Sequence, residues 1–300
     1  MIVGIIAGIT AALLQSLSYV FSASFMCRYR SPIRLLLFSQ LGMGLLSMVM
    51  LFFFFPTAVF EQPLRFTLYL LAWILVFVLG QSAFFNTLRR IEASRTSSLL
   101  GLKIIVLAVF SIVLLRQPLT GMQGIAVLIS TIAAIGMNWS GGARFSLSGM
   151  LWLFLTLVAY SLADITETEI VRLFASGNMI HDAFKAAFLC YFVLGIFSAP
   201  LLLRYRWTKR QFVKAFPFAL AWLFSQVALL ACFGLLGALF GNVIQSSRGI
   251  ISVLVGILLA KIGMGKYDST ISRAMWIRRA VCSVLMALGI ILYAAGGAAR

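Results

Sequence analysis

Residues Ser97–Leu115 read SSLLGLKIIVLAVFSIVLL. Nearly every position is apolar, and the run is about as long as the roughly 20 residues a helix needs to cross a bilayer core. Lys103 lies inside it. A charge at that depth costs roughly 2.5–3.5 kcal/mol on insertion scales, so it needs a partner, a water-filled cavity or a function. The feature recurs 145 residues further on, where Arg248 lies in the apolar stretch Gly241–Ala260. The rest of the chain is read around these two buried cations.

Composition agrees with a membrane setting. The chain has 300 residues, 62% of them hydrophobic and only 10% charged, and a mean hydropathy of +1.07. Soluble domains carry about 25% charged residues. The net charge of +17 is explained by basic cytoplasmic loops, and no soluble basic domain is present to hold nucleic acid. Cys27, Cys190, Cys232 and Cys282 are scattered through apolar stretches without metal-ligand spacing, which reads as buried free thiols. His181 is the sole histidine and sits in a short polar segment. No nucleophile, base and metal constellation can be assembled, which argues against an enzyme; no cofactor motif and no metal site are expected. The N-terminal apolar stretch runs well past a signal-peptide core and lacks a charged n-region, so no cleaved signal is expected.

Ten apolar spans are expected. The first five are Ile2–Phe25, Ile33–Phe55, Phe66–Phe85, Ser97–Leu115 and Gly121–Trp139. The second five are Leu147–Ile170, Ala183–Leu203, Phe216–Phe240, Gly241–Ala260 and Val281–Ala295. Each can span lipid as a helix, whose backbone groups are bonded internally. The eighth and ninth nearly merge at Ala238–Asn242, which demands a very tight turn. Overlaying the halves aligns Gln15-Ser16-Leu17-Ser18 with Tyr160-Ser161-Leu162-Ala163 at the offset that relates Lys103 to Arg248. Leu71-Ala72-Trp73 also matches Leu220-Ala221-Trp222 after a small gap. The expected fold is therefore all-α, a polytopic membrane protein of ten transmembrane helices in two five-helix repeats, residues 1–142 and 143–300. Five crossings per repeat place the second copy upside down, the inverted arrangement of many secondary transporters, with the solute site near midplane.

Loop charge sets the expected orientation. One side collects seventeen Lys and Arg, including Arg28, Arg89, Arg204 and Lys261, against five on the other, Arg65, Arg116, Arg172, Lys185 and Arg300. The rule that positive loops stay inside puts both termini outside. A cell membrane, such as a bacterial inner membrane, is the expected location.

Ala93-Ser94 followed by Ser97-Ser98-Leu99 resembles the small-residue start of the fourth helix in the drug/metabolite transporter superfamily, EamA-like branch. Leu114–Thr120 followed by Gln123-Gly124 resembles that family's helix end, Thr and Gln-x-Gly start. Here Arg116-Gln117 stands where the family has a Glu. Ser16 and Ser161 fall where the family often has a Trp-Gly-Ser element, whose Trp-Gly is replaced by Leu14-Gln15 and Ala159-Tyr160. The resemblance implies ten helices and transport of a small solute. Triose-phosphate and nucleotide-sugar transporters of this superfamily line their site with the fourth and ninth helices, which is where Lys103 and Arg248 fall.

For Lys103 and Arg248, two readings compete. They form an anion clamp, with a guanidinium fork and an ammonium point charge, or they are held in internal ion pairs with Asp164 or Glu167. Snorkelling is a third option, but neither residue is near a span end. Gln15, Ser16, Tyr19, Tyr160, Gln245 and Ser247 are candidates to line the same cavity. For each alone the alternative is an interhelical hydrogen bond worth around 0.6 kcal/mol. Asp164 and Glu167 are three apart and share a helix face. They are candidates for proton coupling, or else belong to a solvated helix end, since the apolar run stops at Ile165. Glu169 and Arg172 can pair at the surface. The glycine pairs Gly4/Gly8 and Gly237/Gly241 suggest close helix contacts inside the bundle or in a homodimer.

The function expected from these residues is secondary transport of a small organic solute, anionic or zwitterionic, held between Lys103 and Arg248 during alternating access. The partners are that solute and membrane lipid, with proton or counter-substrate coupling. One alternative is a proton-coupled amino acid or drug exporter using Asp164 or Glu167. Another leaves solute transport altogether, as a lipid flippase or scramblase or a membrane scaffold braced by the cations.

Overall fold

The structure, a computed structural model, describes residues 1–88, 90, 99–114, 116, 118–138, 147–202, 204, 208–248, 251 and 273–298. The helices are α1 (Ile2–Tyr29), α2 (Pro32–Phe53), α3 (Pro63–Leu88), α4 (Lys103–Val113) and α5 (Gly121–Asn138). They continue as α6 (Leu147–Phe174), α7 (Met179–Leu202), α8 (Lys209–Leu236), α9 (Ala238–Gln245) and α10 (Arg273–Ala298). A single helical turn, Ala58–Glu61, precedes α3, and a 3-10 turn, Leu100–Leu102, leads into α4. No strand occurs among the described residues. The boundary expected at residues 142 and 143 lies outside them.

Large apolar side chains point outward along most helices, among them Phe52, Leu71, Ile132, Leu147 and Leu151. In water such a surface would aggregate; in lipid it is solvated. Six helices among the described residues are long and apolar enough to cross a membrane, namely α1, α2, α3, α6, α7 and α8. The apolar helices Leu100–Val113, Gly121–Gly136 and Val284–Gly296 fall below that length, and α9 has 8 residues. Residues 249, 250 and 252–260 of the expected span Gly241–Ala260 lie outside the described residues.

Two local features differ from the expected boundaries. The turn between the eighth and ninth spans falls on Gly237, not at Gly241. Gly237 alone separates α8 from α9, with φ 83 and ψ 156. That backbone region is essentially confined to glycine, since a Cβ clashes there. Gly241 instead lies inside α9, where an added Cβ would meet the Phe233 ring. Second, α6 ends at Phe174, four residues past the expected end at Ile170, although the apolar run stops at Ile165. The helix continues because Asp164 and Glu167 turn inward while Glu169 and Arg172 pair on the outside, Arg172 Nη1 donating to Glu169 Oε1 at 2.6 Å.

The principal helix pairings are α1 on α8, α3 on α6, α2 on α7 and α5 on α10. Small residues allow the closest approaches. A Cβ on Gly44 would lie 2.8 Å from Gly195 Cα, and one on Gly195 would lie 2.7 Å from Gly44 Cα, so α2 and α7 cross in backbone contact. Gly4 and Gly8 of α1 pack on Leu236, Cys232 and Ile244, an intramolecular use of that glycine pair. Cys190, Cys232 and Cys282 are buried free thiols; the side chain of Cys27 lies outside the described residues. His181 is exposed in the first turn of α7, its ring 5.1 Å from that of Phe54. The core is aromatic around Trp73, Phe188 and Tyr191. Trp73 meets Tyr191 edge-on at 6.0 Å, and Trp222 Nε1 donates to Tyr191 Oη at 3.1 Å. The two tryptophans of the matched Leu-Ala-Trp segments thus converge on one tyrosine.

Candidate functional site

Lys103 opens α4, directly after the 3-10 turn. Its ammonium meets the carboxylate of Asp164 on α6, with Nζ 2.6 Å from Oδ2. The same oxygen accepts a hydrogen bond from Asn242 Nδ2 of α9 at 2.5 Å. Asn242 Nδ2 also donates to the Ala238 carbonyl at 2.9 Å, which holds the amide in place along its own helix. Three helices are thereby joined at one carboxylate. Asp164 is 7% exposed, so the pair lies where water does not compete effectively and Coulomb attraction is strong.

Glu167 lies one turn along α6, on the face that carries Asp164, and is 5% exposed. Its carboxyl is beside the Trp73 indole of α3 and within electrostatic range of Lys103, Asp164, Cys190 and Tyr191. Trp73 Nε1 is buried without a hydrogen-bond partner, so the indole is near the acid without the alignment of a formed bond. Neither acid occupies a solvated helix end.

Arg248 uses a different partner. Its Nη1 donates to Gln15 Oε1 of α1 at 2.9 Å, and Gln245 Nε2 donates to that oxygen at 2.9 Å. Ser16 Oγ donates to the Ala12 carbonyl at 2.8 Å and approaches the Arg248 carbonyl at 3.5 Å. Asn242, Gln245 and Arg248 follow at intervals of three residues, the spacing that keeps side chains on one helical face. Asn242 and Gln245 of α9 therefore bond to the partners of both cations, Asn242 to Asp164 and Gln245 to Gln15, and Arg248 follows just beyond the helix end. Ser247 Oγ, beside Arg248, is buried without a hydrogen-bond partner.

The structure brings together Lys103 with Asp164, and Gln15, Ser16 and Gln245 with Arg248. Tyr160 is placed elsewhere, packed on Gly80 and 6.2 Å from the Phe84 ring of α3. The side chain of Tyr19 lies outside the described residues. Asn242 was not singled out by sequence; the signal available was an amide three residues before Gln245 in an apolar run. Trp73 stood out only through the repeat, and its proximity to Glu167 depends on the α3–α6 packing.

In chemical terms, the junction holds a cation and an anion in direct contact in a low-dielectric interior. Removing either charge leaves the other unpaired, which is strongly unfavourable. A ligand that supplies both charges can separate the pair without leaving either bare.

Residues 2–139 match the EamA-like transporter family. No curated protein matches the chain in sequence. One solved crystal structure is similar at a TM-score of 0.68 and 14% identity, over 96% of this chain and 95% of the other. That likeness concerns the fold alone.

Proposed function

We propose that this chain, whose residues 2–139 match the EamA-like transporter family of the drug/metabolite transporter superfamily, moves an anionic or zwitterionic organic solute by alternating access, using Lys103 and Arg248 as its cationic contacts. That match and the six long apolar helices support a multi-pass membrane transporter of small solutes. The observation that carries the finer reading is the Lys103–Asp164–Asn242 junction, where α4, α6 and α9 meet on one carboxylate. Intramembrane charges are rare and expensive, and they mark solute or ion pathways.

Ten helices in two inverted repeats are the architecture we propose for this cycle. The helix pairings support it. Exchanging each helix of the first five with its counterpart in the second converts the α1–α8 contact into α6–α3 and returns α2–α7 and α5–α10 to themselves. The α4–α6 and α9–α1 contacts exchange in the same way. Lys103 and Arg248 are counterparts under that exchange. In this arrangement solute arrival displaces Asp164 from Lys103 and Gln15 from Arg248, loosening α4 and α9 from α6 and α1.

The buried acids favour a second, compatible reading, in which Asp164 or Glu167 carries a coupling proton. Protonating Asp164 would release Lys103 to a solute. Both readings are tested in proteoliposomes containing wild type, Lys103→Gln, Arg248→Gln or Asp164→Asn. Loss of solute uptake in both cation variants, with correct insertion, supports the clamp. Uptake by Asp164→Asn that no longer responds to a proton gradient supports the coupling role. Wild-type uptake by Lys103→Gln and Arg248→Gln would sink the clamp.

A further inference from the structure

A pocket of about 60 Å³ opens at the ends of α6 and α8, next to the Gly237 turn. Its polar lining comes from Ser111 of α4 and from Thr168, Glu169 and Arg172 of α6, and Tyr293 of α10 closes one side. The chain's own N-terminus is on the same side of the bundle, since Gly4 packs on Leu236. That is the side with the fewer basic loop residues.

Two lining residues of this pocket bond, each within its own helix, to residues of the charged junction. Thr168 Oγ donates to the Asp164 carbonyl at 2.7 Å. The carbonyl of Ala238, another lining residue, accepts from Asn242 Nδ2 at 2.9 Å. On two different helices, then, the pocket lies one turn from the junction, or about 5.4 Å along each axis. Ile165 and the stacked rings of Phe240 and Tyr293, with centroids 4.7 Å apart, supply apolar lining.

Each level presents the same chemistry. The pocket has Arg172 against Glu169 at 2.6 Å, and the junction has Lys103 against Asp164 at 2.6 Å. A simple anion approaching either cation meets a carboxylate at contact distance. A solute with both an ammonium and a carboxylate replaces one ion pair by another at each level, and at the junction no buried charge is left without a partner. We infer that this pocket is the vestibule of the solute pathway on the side of the chain termini. It would receive a zwitterionic, amino-acid-like solute, carboxylate on Arg172 and ammonium on Glu169, before the junction does. The inference rests on reading the Lys103–Asp164 junction as the solute site.

The test uses Ser111→Cys in reconstituted full-length protein, with Leu119→Cys as a second pocket position should the first fail to insert. Native Cys190, Cys232 and Cys282 are buried, and Cys27→Ser removes the fourth native thiol, so that variant supplies the background. A membrane-impermeant cationic thiosulfonate added on the terminal side should modify the new thiol, and modification should abolish uptake of labelled amino acids. A mixture of amino acids should slow the modification, whereas succinate should not. Arg172→Gln should raise KM for amino acids about tenfold with kcat unchanged, the equivalent of one charge-assisted contact. Reaction only with a lipid-soluble maleimide, or unchanged uptake after modification, would overturn the vestibule. Equal protection by succinate, or no protection by amino acids, would overturn the zwitterion assignment. Normal transport by Lys103→Gln alongside a blocking modification at Ser111 would reject the junction and leave the vestibule standing.

Discussion

Lys103→Gln removes the ammonium from a carboxylate that is 2.6 Å away and 7% exposed. Asp164 then keeps only the Asn242 amide. Breaking a buried pair by deleting one member costs about 3–5 kcal/mol, because the surviving charge is left without a counter-charge. Asp164→Asn strands Lys103 in the same way. The double variant Lys103→Gln/Asp164→Asn strands neither, since two amides can bond to each other and to Asn242. Each single variant should therefore melt on the order of 10 °C below wild type in detergent, at roughly 2–4 °C per kcal/mol. The double variant should recover more than half of that loss. The assay is a fluorescence melting curve at matched protein concentration and scan rate, with far-UV circular dichroism to check the starting fold. Single variants within a few degrees of wild type, or a double variant that loses the sum of the two, would refute the view that these charges hold each other in a dry interior.

Four further outcomes follow from named contacts. Gly237→Ala forces a Cβ into a backbone region confined to glycine, at about 1–3 kcal/mol, and should lower the melting temperature and slow transport measured in the same preparation. Gly44→Ala and Gly195→Ala each drive a methyl into the opposing helix backbone at 2.7–2.8 Å, so each should lower the yield of monodisperse protein on gel filtration, with overpacking costs of roughly 1–3 kcal/mol. Gln15→Ala removes the oxygen that accepts from both Arg248 and Gln245; solute affinity should fall with little change in melting temperature, as read by ligand-induced thermal shift. Glu169→Gln breaks an exposed i,i+3 pair, worth about 0–1 kcal/mol, and should leave the melting temperature unchanged within error.

Much of the fold was legible because lipid makes a simple demand. Long apolar runs give helices, and α1, α2, α6 and α7 sit close to the spans expected from hydropathy. Lys103 and Arg248 stood out because their flanks are apolar. Which acid answers Lys103 was open between Asp164 and Glu167. Both are on one face of α6, and only the placement of α4 against that face selects Asp164. Hydropathy also marks Ile165 as the end of an apolar run, whereas the helix continues to Phe174 because Asp164 and Glu167 are buried against other helices and Glu169 pairs with Arg172 outside. The Gly-Ala-Leu-Phe-Gly segment offers two glycines for a turn. The choice of Gly237 depends on a backbone angle, which composition does not encode. Tyr160 aligned with Gln15 in the repeat, but its ring packs against Gly80 of α3, a contact the alignment does not encode.

The most direct test of solute exchange at the junction is amino acid uptake into proteoliposomes by wild type and by the folded double variant Lys103→Gln/Asp164→Asn. The double variant keeps the amide contacts that brace α4, α6 and α9 but has no charges to exchange. Uptake by wild type and none by the double variant, with both proteins inserted and of similar melting temperature, is the expected result. Equal uptake by the two would contradict it and leave Lys103 and Asp164 as a structural brace.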